Sequence, residues 1–179
     1  MLLAKSVQRG DFTLASGGRS DLYVDCRMTT LDGEGACLVG SCMHALMGER
    51  HEPVIGVGGL TMGADPVALA ISMFSFHTDP ECSINAFSVR KGVKEHGRKR
   101  LVEGNFKAGD VVVVVDDVIT TGGSTLQAIE KIEAEGGRVA FVMALLDREE
   151  GGRANIEARG YDVLSLFTRT ELLEGVEES

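Results

Sequence analysis

Tryptophan is absent from this chain, tyrosine occurs twice and proline three times in 179 residues. With so little proline, and no Ser/Pro-rich tract or repeat period, nothing divides the chain, and one domain over residues 1–179 is expected. Long apolar runs are missing too. The longest, around Val111–Val115 and Ala140–Leu146, fall far short of the ~20 residues that a membrane-spanning helix needs. Positive charge is in deficit, with 18 Lys and Arg against 27 Asp and Glu and a net charge of −9. That balance argues against a dedicated nucleic-acid or anionic-membrane surface, since both need a positive field, and leaves small molecules as the expected partners. The four cysteines, Cys26, Cys37, Cys42 and Cys82, have no Cys-x-x-Cys spacing and no paired His. Neither a zinc site nor a disulfide framework is suggested, and the expectation is four small buried hydrophobes. Met1 to Phe12 carries Lys5, Gln8, Arg9 and Asp11 and lacks the apolar centre of a secretion signal, so a cytoplasmic protein is expected.

What is present is alternation. Apolar runs of strand length take turns with amphipathic segments of helix length, the pattern of parallel βαβ units with helices covering a sheet. Helices are expected at Gly33 to Met47, Ala64 to Phe76, Leu126 to Glu135 and near Arg153 to Arg159. Strands are expected at Pro53–Val57, Ser83–Val89, Val111–Val115, Val139–Leu146 and Asp162–Leu166. The class is α/β, with a central, mostly parallel sheet of about five strands. A long polar loop fills Arg90 to Gly109. Five consecutive valines at Val111–Val115 mark a central strand buried on both faces. The first ~30 and last ~12 residues do not fit the alternation and are expected to cap the site. His44, His51 and His77 stand outside every motif and read as helix or surface residues.

In an open parallel sheet, ligands sit beyond the carboxyl ends of the strands, where helix N-termini present unpaired N–H groups. After the valine strand comes Asp116-Asp117-Val118-Ile119-Thr120-Thr121-Gly122-Gly123-Ser124-Thr125. Its second half can wrap backbone N–H groups and hydroxyls round a phosphate, because Gly permits close approach and positive φ. It is neither a P-loop nor a dinucleotide fingerprint. Two carboxylates beside a phosphate would repel it unless they serve vicinal hydroxyls or a metal ion of the same ligand, which points to a sugar phosphate. The bland alternative is that Asp116 and Asp117 cap the strand end and Thr125 a helix.

The segment Arg90-Lys91-Gly92-Val93-Lys94-Glu95-His96-Gly97-Arg98-Lys99-Arg100 holds six Lys or Arg against one Glu. Such a loop on an acidic protein should attract a polyanion such as pyrophosphate, and Gly92 and Gly97 would let it open and close. No aromatic residue is interleaved with these charges, so base stacking of the kind that RNA binders use is not offered.

These residues resemble a known family. The valine strand with Asp116 to Ser124 is similar to the phosphoribosyl pyrophosphate (PRPP) binding motif of type I phosphoribosyltransferases. Arg90-Lys91-x-x-Lys94-x-His96-Gly97 resembles the catalytic loop of the orotate phosphoribosyltransferase family, and Phe12-x-Leu14-x-Ser16-Gly17-x-x-Ser20-Asp21-x-Tyr23 its N-terminal hood. Asp147-Arg148 matches the strand end where that family holds orotate. Two positions depart: bacterial members carry Lys where Ala15 stands and close to where Met62 stands, which removes two cations from contacts with orotate or pyrophosphate.

The resemblance implies a type I phosphoribosyltransferase fold with a small N-terminal hood, and transfer of 5-phosphoribosyl from PRPP to N1 of orotate. Asp116 and Asp117 would hold the ribose hydroxyls, with Val118, Ile119, Thr120, Thr121, Gly122, Gly123 and Ser124 round the 5′-phosphate. Arg90, Lys91, Lys94 and His96 would take the pyrophosphate. Lys94, His96, Asp116 and Asp117 are the implied catalytic set, while the Thr120 backbone and Arg148 would take orotate, Arg148 because its planar fork suits a carboxylate. Mg2+ would arrive on PRPP, no protein metal site is implied, and family members are homodimers whose loop reaches the neighbouring site. A purine or xanthine phosphoribosyltransferase shares the PRPP motif but is not expected to carry the basic loop; a PRPP-sensing regulator would need a basic surface.

Overall fold

The computed structural model describes residues 1–13, 19–92 and 100–177. In chain order the elements are α1 (Leu2–Ser6), β1 (Val7–Thr13), β2 (Arg19–Val24), α2 (Arg27–Thr30), α3 (Gly33–Gly48), β3 (Gly56–Leu60), α4 (Ala64–Thr78), β4 (Asn85–Val89), β5 (Val102–Gly104), β6 (Val111–Ile119), α5 (Gly123–Ala134), β7 (Arg138–Asp147), α6 (Gly152–Glu157), β8 (Val163–Thr168) and α7 (Arg169–Glu177). β1 and β2 pair antiparallel as a small separate ribbon. The other six strands form one sheet in the order β5-β4-β3-β6-β7-β8, parallel throughout except for the antiparallel β4–β5 edge. The alternation in the sequence counts one strand fewer. β5 is only three residues long, too short to show a period, and it lies inside the segment read as a loop from Arg90 to Gly109.

Alternate side chains of β6 and β7 feed two cores. Val113, Val115, Phe141, Met143 and Leu145 pack against Val39, Met43, Met47, Val67 and Ile71 of α3 and α4. Val112, Val114, Val142 and Ala144 pack on the other face with Ala128, Ile129 and Ile132 of α5 and Ile156 of α6. Burial on both faces explains why β6 is nearly uniform valine. α3 starts where Asp32 Oδ1 accepts the Gly35 N–H at 2.9 Å, and Val39, Met43 and Met47 repeat every fourth residue on its buried face.

Three boundaries move for physical reasons. β3 begins later than Pro53 and runs past Val57 through Gly58 and Gly59, which lie where neighbouring backbone leaves no room for a Cβ. β6 continues to Ile119, because β7 keeps pairing with it to Ile119↔Asp147. Asp116 and Asp117 are therefore strand residues, not residues after the strand. α5 begins at Gly123, so Gly123 and Ser124 form its first turn.

The two ends of the chain meet beside the first core. Ser6 Oγ and Thr29 Oγ1 lie 2.7 Å apart, and the Asp25 N–H donates to the Ser6 carbonyl at 2.9 Å. Leu2 of α1 and Leu172 of α7 share the first core cluster. The cysteines behave differently from expectation. Cys26 is buried, whereas Cys37 and Cys42 on α3, and Cys82, are exposed. His44 packs its ring at a tilt beside that of Phe74, with centroids 5.4 Å apart, while His51 and His77 are exposed. No helix among the described residues is long and apolar enough to cross a membrane.

Candidate active site

The chain places β3 and β4 to one side of the sheet and then crosses to lay β6 on the other side of β3. Such a reversal of strand order opens a crevice at the carboxyl ends of the two strands. Pairing between β3 and β6 stops at Gly58↔Val114, so the sheet is split where Asp116 and Asp117 emerge.

Strand parity gives the two neighbouring side chains different partners. Asp116 follows Val112 and Val114 toward α5, where the Thr125 hydroxyl donates to its Oδ2 at 3.0 Å; Asp117 follows Val113 and Val115 toward the hood. Asp117 Oδ1 accepts the Val118 N–H at 3.0 Å, and a Cβ on Gly63 would lie 2.3 Å from that same oxygen. A side chain there would have to push the Asp117 carboxyl aside. Burial and the neighbouring Asp117 push the Asp116 carboxyl up to about 7, and burial raises Asp117 as well. A buried carboxylate pair of this kind is suited to hydroxyl donors or a cation.

Asp117 opens on a cavity of about 360 Å³ with Cys26, Arg27, Met62 and Lys91 on its wall. Arg27 Nε and Nη2 donate to the two oxygens of Asp25 at 2.8 and 2.9 Å, and this pair holds the Asp25 carboxyl below the usual carboxylate range. Burial pushes the Cys26 thiol up, and Asp117, Asp25 and Asp116 add to the effect. A second cavity, of about 480 Å³, has Arg90, Lys91, Thr61 and Ser88 on its wall. Between them Asp65 accepts from the Thr61 hydroxyl at 2.6 Å and from Ser88 at 2.7 Å, tying the turn after β3 to β4.

Beyond β6, Thr120 and Thr121 turn into Gly122, which has φ +80° and would bring a Cβ within 2.9 Å of the Gly152 carbonyl. Both the turn and the contact require glycine. Gly123, Ser124 and Thr125 then open α5, whose first N–H groups have no intrahelical acceptor. Asn155 Nδ2 donates to the Thr121 carbonyl at 3.0 Å and fixes the turn from α6.

Arg148 lies just past β7, with its N–H on the Ile119 carbonyl at 2.9 Å. Its Nη2 is 2.8 Å from Glu150, and its Nε is buried without a partner. Asp147 beside it is clamped by Arg153 Nε at 2.8 Å, and that guanidinium also reaches Ser165 at 2.8 Å.

The structure thus brings Lys91 and Asp117 to one cavity and Arg90 and Lys91 to the next, with Asp116 behind and Thr120 to Ser124 at the start of α5. Lys94 and His96 lie outside the described residues, as do Leu14, Ala15, Ser16 and Gly17. The sequence reading passed over Thr125 as more than a cap, and missed Asp65, Gly63, Arg27 and the loop anchors Lys131 and Glu135. Lys131 Nζ donates to the Arg90 and Lys91 carbonyls at 2.7 and 2.9 Å, while Glu135 accepts the Val102 N–H at 3.1 Å, so α5 grips both ends of the basic segment.

Scanned against models of protein families, the chain matches none. Among curated proteins it is 45% identical over 163 residues to orotate phosphoribosyltransferase of Aquifex aeolicus, covering 90% of this chain and 86% of that one. The enzyme of the same name from Rhodopirellula baltica is 40% identical over 172 residues, covering 94% and 88%. This chain belongs to the orotate phosphoribosyltransferase family. Solved structures agree. Mycobacterium tuberculosis H37Rv orotate phosphoribosyltransferase in complex with PRPP superimposes with a TM-score of 0.79 at 38% identity, over 96% of this chain and 93% of that one. The Aeropyrum pernix enzyme gives 0.81 at 32% identity, over 97% and 94%. The six-stranded sheet with its hood is therefore the type I phosphoribosyltransferase fold, and the chain is a transferase of that family.

Proposed function

We propose that this chain transfers a 5-phosphoribosyl group from PRPP to N1 of orotate, giving orotidine 5′-monophosphate and pyrophosphate in pyrimidine synthesis. The observation that carries the reading is the carboxylate pair Asp116 and Asp117 at the split between β3 and β6, one turn ahead of the Gly122 nest. A sugar that carries a phosphate at one end and hydroxyls near the other matches that order.

Breaking the C1–O bond builds positive charge on the ribose and negative charge on the departing pyrophosphate. Catalysis here is positioning and charge stabilisation, with no nucleophilic side chain. Asp116 and Asp117 hold the ribose hydroxyls, and the groups from Val118 to Ser124 surround the 5′-phosphate. Arg90, Lys91, Lys94 and His96 neutralise the pyrophosphate, and the Thr120 backbone and Arg148 face the base. One domain over residues 1–179 carries all these parts.

The donor set fits a magnesium ion brought in by the substrate. Asp116 and Asp117 would offer it hard carboxylate oxygens, with substrate phosphates and water completing the shell. When bound, Mg2+ offsets the charge developing on pyrophosphate. A homodimer is supported by α4, where Leu69, Met73 and Phe76 recur on one helical face and are all exposed. The cytoplasm is the compartment this substrate pair implies.

The test is direct. Orotate consumption should require both PRPP and Mg2+, while hypoxanthine, xanthine and uracil should be turned over at rates lower by orders of magnitude. Comparable turnover of a purine would overturn the assignment.

A further inference from the structure

We propose that Arg27 is the residue that selects an anionic base, its guanidinium taking the carboxylate that separates orotate from an uncharged pyrimidine. This rests on the functional reading above. The first ground is access. Arg27 lines the cavity into which Asp117 opens, and its side chain is 50% exposed. Arg148, the arginine that the family resemblance assigns to orotate, has a side chain only 9% exposed and already meets a carboxylate, that of Glu150.

The second ground is geometry. A guanidinium has five N–H donors and two edges that can each receive a carboxylate with two parallel hydrogen bonds. Asp25 occupies the Nε and Nη2 edge at 2.8 and 2.9 Å, and the Arg27 N–H also donates to Asp25 Oδ1 at 3.1 Å. That clamp fixes the side chain and leaves the Nη1 and Nη2 edge for a second carboxylate. Pre-orientation of this kind lowers the entropy cost of binding.

The third ground is the charge of the remaining wall. Asp25 and Asp117 both repel an anion, so an anionic base is tolerated only where its carboxylate meets a cation directly. Lys91 is the other cation on the wall, but it begins the basic segment and is a point charge better suited to phosphate than to a planar carboxylate. Met62, 63% exposed, presents a neutral side of the cavity.

The experiment compares R27A and R27K with the wild-type enzyme, using orotate kinetics, the inhibition constant of methyl orotate, whose carboxylate is masked, and calorimetric titration of PRPP with Mg2+. R27A should lower kcat/KM for orotate by roughly 10- to 150-fold, mainly through KM, as expected for losing hydrogen bonds to a charged group. It should leave methyl orotate inhibition and PRPP affinity within about twofold of wild type, and R27K should recover part of the loss. Unchanged orotate kinetics in R27A would overturn the inference, as would a parallel loss for methyl orotate or a weakened PRPP titration. A wild-type enzyme with no orotate turnover would instead overturn the functional reading itself.

Discussion

Asp116 and Asp117 are neighbours in sequence, yet they face different partners because alternate residues of a strand point to opposite faces. The Asp116 carboxyl is raised from 3.8 to about 7, first by burial and then by Asp117. A raised acid binds its proton more tightly in the folded than in the unfolded chain. Ionising it therefore costs stability progressively as pH rises from about 4 to about 7, and the whole cost persists above that. Asp116→Asn should remove it, raising the stability of the ligand-free protein by on the order of 2 kcal/mol at pH 8 and by little at pH 4.5. The same variant should lose affinity for PRPP with Mg2+, a trade of activity for stability. Thermal unfolding at the two pH values checks this; a stabilisation independent of pH would show that the Asp116 charge is not its source. Asp117→Asn and Arg148→Ala should fail in different ways. The first should weaken PRPP binding. The second removes a side chain that faces the base while Arg27 holds its carboxylate, so it should lower orotate kcat/KM by less than R27A does and leave PRPP affinity nearly unchanged, a contrast that calorimetry and orotate kinetics resolve.

At the scale of elements, the legible parts are those whose signal is local. The valine run identified β6, the Thr-Thr-Gly-Gly-Ser sequence marked the start of α5, and the same two features located Asp116 to Ser124. β5 escaped notice because three residues show no period, and β3 was displaced because Gly58 and Gly59 in a buried strand look like a turn. The parts of the site that stayed hidden depend on contacts across the chain. Glu135 meets Val102 from 33 residues away and Lys131 meets Arg90 from 41, and no pattern in the sequence announces either. Those two contacts make α5 the anchor of the basic segment. Lys131→Met should remove the donor to the Arg90 and Lys91 carbonyls, speed amide exchange across Val89–Arg90 and Leu101–Val102, and raise the KM for PRPP by severalfold. An unchanged exchange profile would mean that the β4–β5 pairing alone holds the segment.

For the whole molecule, the net charge of −9 coexists with six cations between Arg90 and Arg100, so the rest of the chain is more acidic than the total suggests. A basic segment on such a surface is drawn toward acidic or phosphate-bearing neighbours, and in a homodimer these include the partner's carboxylate-lined crevice. The exposed stripe Leu69, Met73 and Phe76 supplies a face through which two copies can meet. If the segment acts across that interface, each active site draws Asp117 from one subunit and Lys94 from the other. Lys94→Ala and Asp117→Asn homodimers would then both be impaired, and mixing them with subunit exchange would create heterodimers holding one site with both residues intact and one with neither. At equal mixing, half the dimers are heterodimers, so recovery should approach about a quarter of wild-type activity. Mass measurement of differently tagged subunits establishes that exchange has occurred. Activity that stays at the level of the two parents after exchange would mean that each subunit completes its own site, and Lys94 would then belong to the same chain as the Asp117 it serves.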